Sequence, residues 1–225
     1  MPQLKIIFLL IIYLSVFLIA CSSRSQAVSK DLEQYVIDDA DIYFVPIGPI
    51  SNKYLINLAD YYQNIFKLKI GMTAPLYPYR ELINPDRKQL EAYLVTQRIR
   101  EKFLGKLGKK SSILIGITHV DMYIAKKNWR FAFAYRYGDN IAVVSSARTQ
   151  INPMGELAFI ENVHPGLRKM VTKTIGLLYY QKPINTNPKS VMYFKILGLR
   201  DLDNMDEETI YGDILPSKTL INNNK

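Results

Sequence analysis

Residues 112–123, SILIGITHVDMY, are a continuous apolar run that ends in polar side chains. A strand of this kind has no wet face, so it must be covered on both sides, as in the interior of a parallel sheet packed between helices. The rest of the chain supplies the covering pieces. Ser51 is a good N-cap for residues 51–66, where Leu55, Leu58, Tyr62 and Ile65 recur at helical spacing. Residues 84–107 place Leu90, Leu94, Ile99 and Phe103 on one stripe, with Asn84 or Asp86 as cap and Pro85 at the start, which predicts a second helix. Residues 156–180 predict a third, interrupted or begun at His164-Pro165, because proline disfavours helix in the residue before it. Residues 201–213 predict a last helix capped by Asp201 or Asp203. Strands are expected at 41–48, 67–76 and 140–148. Residues 129–138 alternate Trp129, Phe131, Phe133 and Tyr135 with Arg130, Ala132, Ala134 and Arg136, the pattern of a half-exposed edge strand. The order β-α-β-α-β-β-β-α-α predicts an α/β sandwich: a mixed β-sheet with an antiparallel edge strand, flanked by helices.

The 225 residues are 48% hydrophobic, enough for one sizeable core and one or at most two domains. The net charge is +9 although residues 201–213 are acidic, so the remainder is more basic still. The surplus reads as a soluble basic surface with no nucleic-acid partner, and it also suits an anionic membrane surface.

At the N-terminus, MPQLK precedes IIFLLIIYLSVFLI, an apolar run of signal-peptide length and too short for a comfortable membrane span. It ends in Leu18, Ile19, Ala20 and Cys21, which resembles a bacterial lipobox. That resemblance implies cleavage before Cys21 and acylation of its thiol, so the chain is expected to divide into a signal peptide (1–20), a lipidated tether (21–40) and a folded domain (41–225). Ser22 follows, where an Asp would retain the protein in the inner membrane, which favours the outer membrane in a cell that has one. Cys21 is the only cysteine, so no disulfide and no cysteine metal site is available.

Residues 168–180, RKMVTKTIGLLYY, pose a separate question. The zinc-peptidase frame H-E-x-x-H-x-x-G-x-x-H, laid on Gly176, puts its histidines at Lys169, Lys173 and Tyr179 and its glutamate at Met170. Other strings bear on this. They are FVPIG (44–48), DRKQLEAYLV (86–95), ILIGITHVDMYIAKKNWRFAFAY (113–135), AVVSSAR (142–148) and VMYF (191–194). Their order and spacing, over residues 41–205, resemble the archaemetzincins, a metzincin-like family of zinc peptidases. The resemblance implies a metzincin or zincin-like sandwich, with Met192 as the methionine of the Met-turn and Gly176 as the residue that turns the chain after the helix.

Set against that family, every chemical group of the frame is replaced. A protonated lysine has no lone pair and repels a dication, Met170 cannot act as a base, and Tyr179 would ligate only as a phenolate. The family's second, cysteine-rich zinc site is impossible here. The expectation is therefore no catalytic residue, no metal and no cofactor. The chain is expected to be a non-catalytic protein anchored to the membrane through Cys21, acting in binding or scaffolding at the cell envelope. Two rivals stand beside it: a peptidase or hydrolase using a different site, and a structural envelope lipoprotein. Lys169 and Lys173 have two readings. They supply positive charge to a residual cleft that holds the carboxylate of a peptide or envelope polymer, or they line the exposed face of a helix whose other face, Val171, Ile175 and Leu178, is buried. His119, Asp121 and His164 have no recognisable metal spacing, and Ser145 and Ser146 lack the pattern of a nucleophile elbow.

Overall fold

The structure, a computed structural model, describes residues 35–107, 112–149 and 165–215. In chain order its elements are β1 (Ile42–Ile47), α1 (Asn52–Phe66), β2 (Ile70–Met72), β3 (Ile83–Asn84), β4 (Gln89–Glu91), α2 (Ala92–Phe103), β5 (Ile113–Thr118), β6 (Met122–Tyr123), β7 (Ala134–Tyr137), β8 (Ile141–Ser145), α3 (Pro165–Leu178), α4 (Leu199–Asn204) and α5 (Ile210–Asp213), with 3-10 turns at Arg80–Leu82 and Glu207–Thr209. Strands β1, β5 and β8 are buried at every position, as the apolar runs demand. They form the middle of a five-stranded sheet ordered β2-β1-β5-β8-β7. All its pairings are parallel except β7 on β8, where Tyr135 faces Val143 and Tyr137 faces Ile141. The sheet is thus mixed, with the antiparallel strand at its edge.

Alternation along β1 assigns the layers. Tyr43, Val45 and Ile47 share one core cluster with Val95, Ile99 and Phe103 of α2. Phe44, on the other face, meets Tyr62 of α1 edge to face at 6.2 Å. Tyr62 in turn joins α1 to α3, its hydroxyl donating to the Arg168 carbonyl at 2.6 Å and lying 3.1 Å from Thr172 Oγ1. Helix α1 begins where its cap predicts, with Ser51 Oγ accepting from the Tyr54 amide. Residues before β1 belong to this unit: Tyr43 donates its hydroxyl to the Ile37 carbonyl, and Ala40 is fully buried.

Four expectations need revision. Residues 84–91 are not helix. They form a small hairpin, β3 against β4, which extends through β6 as a second sheet. Asn84 Oδ1 accepts from the amides of Asp86 and Arg87, so the side chain that looks like a helix cap closes a turn instead. Helix α2 then buries Val95, Ile99 and Phe103 and leaves Leu94 exposed. The run 112–123 breaks into β5 and β6 around His119–Asp121, and residues 201–213 divide between the end of α4, a 3-10 turn and α5. Finally, only Ala134–Tyr137 of the alternating segment pairs as a strand; the aromatic residues before it line a cleft.

Candidate functional site

Helix α3 opens on Pro165, whose ring suits the first helical position and whose missing N–H costs nothing there. His164 and Cys21 lie outside the described residues. Ten of the helix's fourteen residues are buried, so it is a central support and not a surface helix. Lys173 is among them at 8% exposure, which rules out for this residue the exposed-face reading. Its Nζ donates to the Tyr193 carbonyl, and burial pulls its ammonium down from 10.5 to about 8. Lys169 reaches the other way and donates to the Leu202 carbonyl of α4 at 2.8 Å. Tyr179 lies past the helix end, 38% exposed, with its ring edge-on to Tyr180. The three frame positions therefore do not converge on one point.

Gly176 plays a different part from the one expected. The helix runs through it to Leu178, and the reversal falls at Gln181, which takes the left-handed conformation at φ 51°. The Lys182 amide returns to the Gly176 carbonyl at 2.9 Å, six residues back, and closes the reversal after the helix. What Gly176 provides is space. A Cβ there would lie 2.8 Å from both Met192 Sδ and Ile214 Cδ1. Met192 is 1% exposed and sits in a turn held by side chains. Ser190 Oγ accepts from the Met192 amide at 2.9 Å and donates to Asp213, and Thr209 Oγ1 accepts from the Val191 amide at 3.1 Å.

Between α3 and the segment 128–136 lies a cavity of about 470 Å³. Met170, Lys173 and Thr174 form its helical side, Phe131 and Phe133 the sheet-edge side, and Phe194, Ile196 and Leu197 a third wall. The walls are largely apolar, and the one ammonium among the α3 residues that line it is that of Lys173. Sequence reasoning missed the third wall, because an irregular segment has no period to read; its signal was the apolar Phe194, Ile196 and Leu197 directly after the turn. Among the described residues, no group of three or more His, Cys, Asp or Glu side chains is placed to hold a metal. His119 Nδ1 is 2.5 Å from Ser146 Oγ, and burial lowers the imidazole's pKa. Asp121 is engaged by Arg148 at 2.5 Å and by Gln89 at 2.7 Å. Ser145 and Ser146 are buried, with Ser145 Oγ donating to the Val120 carbonyl, so neither is offered to a substrate.

No family model matches the chain, and no curated protein does. Solved structures do. An archaemetzincin from Archaeoglobus fulgidus, complexed with malonate, is 19% identical with a TM-score of 0.54, over 73% of this chain and 91% of that one. A zinc-dependent peptidase from Methanocorpusculum labreanum is 18% identical with a TM-score of 0.57, over 73% and 93%. An archaemetzincin from Methanopyrus kandleri is 19% identical with a TM-score of 0.53, over 74% and 87%. The chain has an archaemetzincin-like fold. The likeness also corrects one expectation from the sequence, that no cofactor is involved: the Methanocorpusculum labreanum protein of this fold is a zinc-dependent peptidase, and zinc is the one cofactor to which any comparison points. Lys169, Lys173 and Tyr179 as placed do not themselves fit the ion. Two are ammonium groups donating to carbonyls and the third is a phenol outside the cleft lining, so no chemical step is derived through zinc at these positions.

Proposed function

We propose that this chain works at the cell envelope by binding an extended, carboxylate-bearing peptide or envelope polymer in the cleft, and not by hydrolysing it. The observation that supports this is the α3 wall of the cleft. The position of the general base carries Met170, a thioether with no proton affinity at neutral pH, and Lys173 supplies a buried cation with no carboxylate partner among the described residues. An ammonium in an apolar cleft gains most from an anion that arrives with its own apolar body. The chain is held at the membrane by acyl groups on Cys21, a proposal that rests on the signal-length apolar run ending in Leu-Ile-Ala-Cys.

Two experiments test the reading. The full chain, supplied with zinc and offered a mixed peptide library, is expected to bind peptides saturably and to leave them intact. Cleavage that scales with protein concentration and is abolished by substitution at Lys173 or Met170 would make the chain a hydrolase. Palmitate labelling of cells is expected to disappear with Cys21→Ala, together with partition into the detergent phase; unchanged labelling would remove the anchor.

A further inference from the structure

The cleft does not end at its apolar walls. Asn128, Trp129 and Arg130 line it and also line a second, open depression of about 560 Å³. The depression is basic. Arg87, Lys88, Arg130 and Arg148 border it, against the single carboxylate of Asp121. Asp121 is already satisfied: Arg148 and Gln89 hold one oxygen, and the Met122 amide donates to the other at 3.0 Å. Arg87 spends its guanidinium on the Trp129 and Arg130 carbonyls, at 3.1 and 3.0 Å, and lies over the Tyr123 ring at 4.4 Å. It fixes the loop that both hollows share while keeping its charge. No carboxylate pairs with Arg87, Lys88 or Arg130 among the described residues. Three cations therefore stand uncompensated, among the described residues, around a concave surface that shares Asn128, Trp129 and Arg130 with an apolar cleft.

We propose that this depression is an anion subsite, and that the ligand is an extended peptide whose apolar stretch lies in the cleft and whose flank beyond Trp129 is acidic. The inference rests on the cleft's being a binding site and adds the ligand's charge pattern. Concavity and the three lining residues shared with the cleft favour a peptide flank over a flat membrane surface, which needs no hollow. A carboxylate is the matching chemistry, since guanidinium groups accept it in a planar, two-point arrangement.

Trp129 is the only tryptophan in the chain and stands where the hollows meet, so its fluorescence reports on both. The full chain is titrated with three peptides that share one apolar core and carry Asp-Asp, Ser-Ser or Lys-Lys at the flank. The acidic peptide is expected to bind about five- to tenfold more tightly than the neutral one at low salt, the scale of one or two exposed charge pairs, and the basic peptide more weakly than both. The advantage shrinks as salt rises. The double variant Lys88→Gln, Arg130→Gln, at two exposed positions, is expected to bind acidic and neutral peptides alike. If wild type already does so, the subsite is overturned while the cleft reading stands. If no peptide binds, the cleft reading falls. N-acetyl-Asp-Asp, too short for the cleft, then decides the depression alone: a saturable, salt-sensitive change in Trp129 emission, lost in the double variant, supports it, and no change overturns it. Binding to phosphatidylglycerol vesicles that the double variant loses, with no discrimination among peptides, would assign the basic face to the membrane and overturn the proposal.

Discussion

Replacing Lys173 with methionine should make the protein more stable and less able to bind. The two side chains are similar in length, and the cleft around Lys173 already holds Met170, Leu177 and Phe194. The ammonium is costly where it sits. A pKa lowered from 10.5 to about 8 by burial corresponds to roughly 3 kcal/mol in a site closed to water. The cleft is open, so screening and hydration reduce the recoverable part to about 1–2 kcal/mol. The bond to the Tyr193 carbonyl is lost, but Tyr193 is only partly buried and water replaces the donor. For a domain of this size the gain raises Tm by about 2–4 °C per kcal/mol. The pH dependence is a second signature. In the wild type the folded pKa of Lys173 lies below the unfolded one, so between about 8 and 10.5 the unfolded chain binds more protons, and this residue makes stability rise with pH. The penalty is complete below about 8 and gone above 10.5. Lys173→Met lacks that rise, so its advantage should be largest near neutral pH and vanish by pH 10.5. Denaturant melts of both proteins across pH 6–10.5 measure it. A variant that is less stable at pH 7, or whose difference from wild type is flat across the range, would refute the reasoning.

Gly176→Ala brings a methyl group within 2.8 Å of Met192 Sδ and Ile214 Cδ1, both on buried residues. The expected overpacking cost of about 1–3 kcal/mol exceeds the gain in helix propensity of about 1 kcal/mol, so urea melts should show a net loss; a stabilised variant would mean that the contact yields freely. Arg168 grips Glu207 through Nε at 3.1 Å and Nη2 at 3.2 Å, and lies over the Tyr61 ring at 5.1 Å. Arg168→Ala should cost about 1–2 kcal/mol, and Arg168→Lys should recover only part, because one ammonium cannot reproduce the two-point grip; full recovery by lysine would show that charge alone matters.

The sequence announces what repeats and hides what does not. Strands β1, β5 and β8 were readable because burial on both faces leaves nothing but apolar residues, and the antiparallel edge was readable in the alternation around Tyr135. Asn84-Pro85-Asp86 misled because the same short polar side chains cap helices and close turns, and only the pairing of Ile83 with Leu90 decides between them. Lys173 misled for a related reason. Lysine is ordinarily exposed, and its burial here depends on a carbonyl twenty residues further on, supplied by a turn with no period. Gly176 was marked as special by the motif frame, but its use is steric and set by Met192 and Ile214, which no local pattern reveals.

Helix α3 keeps the residues that brace the fold apart from those that line the cleft. Met170, Lys173, Thr174 and Leu177 follow the three-and-four spacing of a single helix face, and all four line the cleft. Gly176 lies off that face, and its packing on Met192 and Ile214 fixes the helix against the turn. Substitutions on the cleft face need not disturb that packing, because the side chains there border an open cavity of about 470 Å³. Of the four positions the peptidase frame marks for chemistry, the structure opens those of Met170 and Lys173 to the cleft, turns Lys169 to α4 and leaves Tyr179 beyond the helix end. The groups that would meet a ligand are thus a thioether and a buried ammonium, where the peptidase frame calls for a carboxylate and an imidazole.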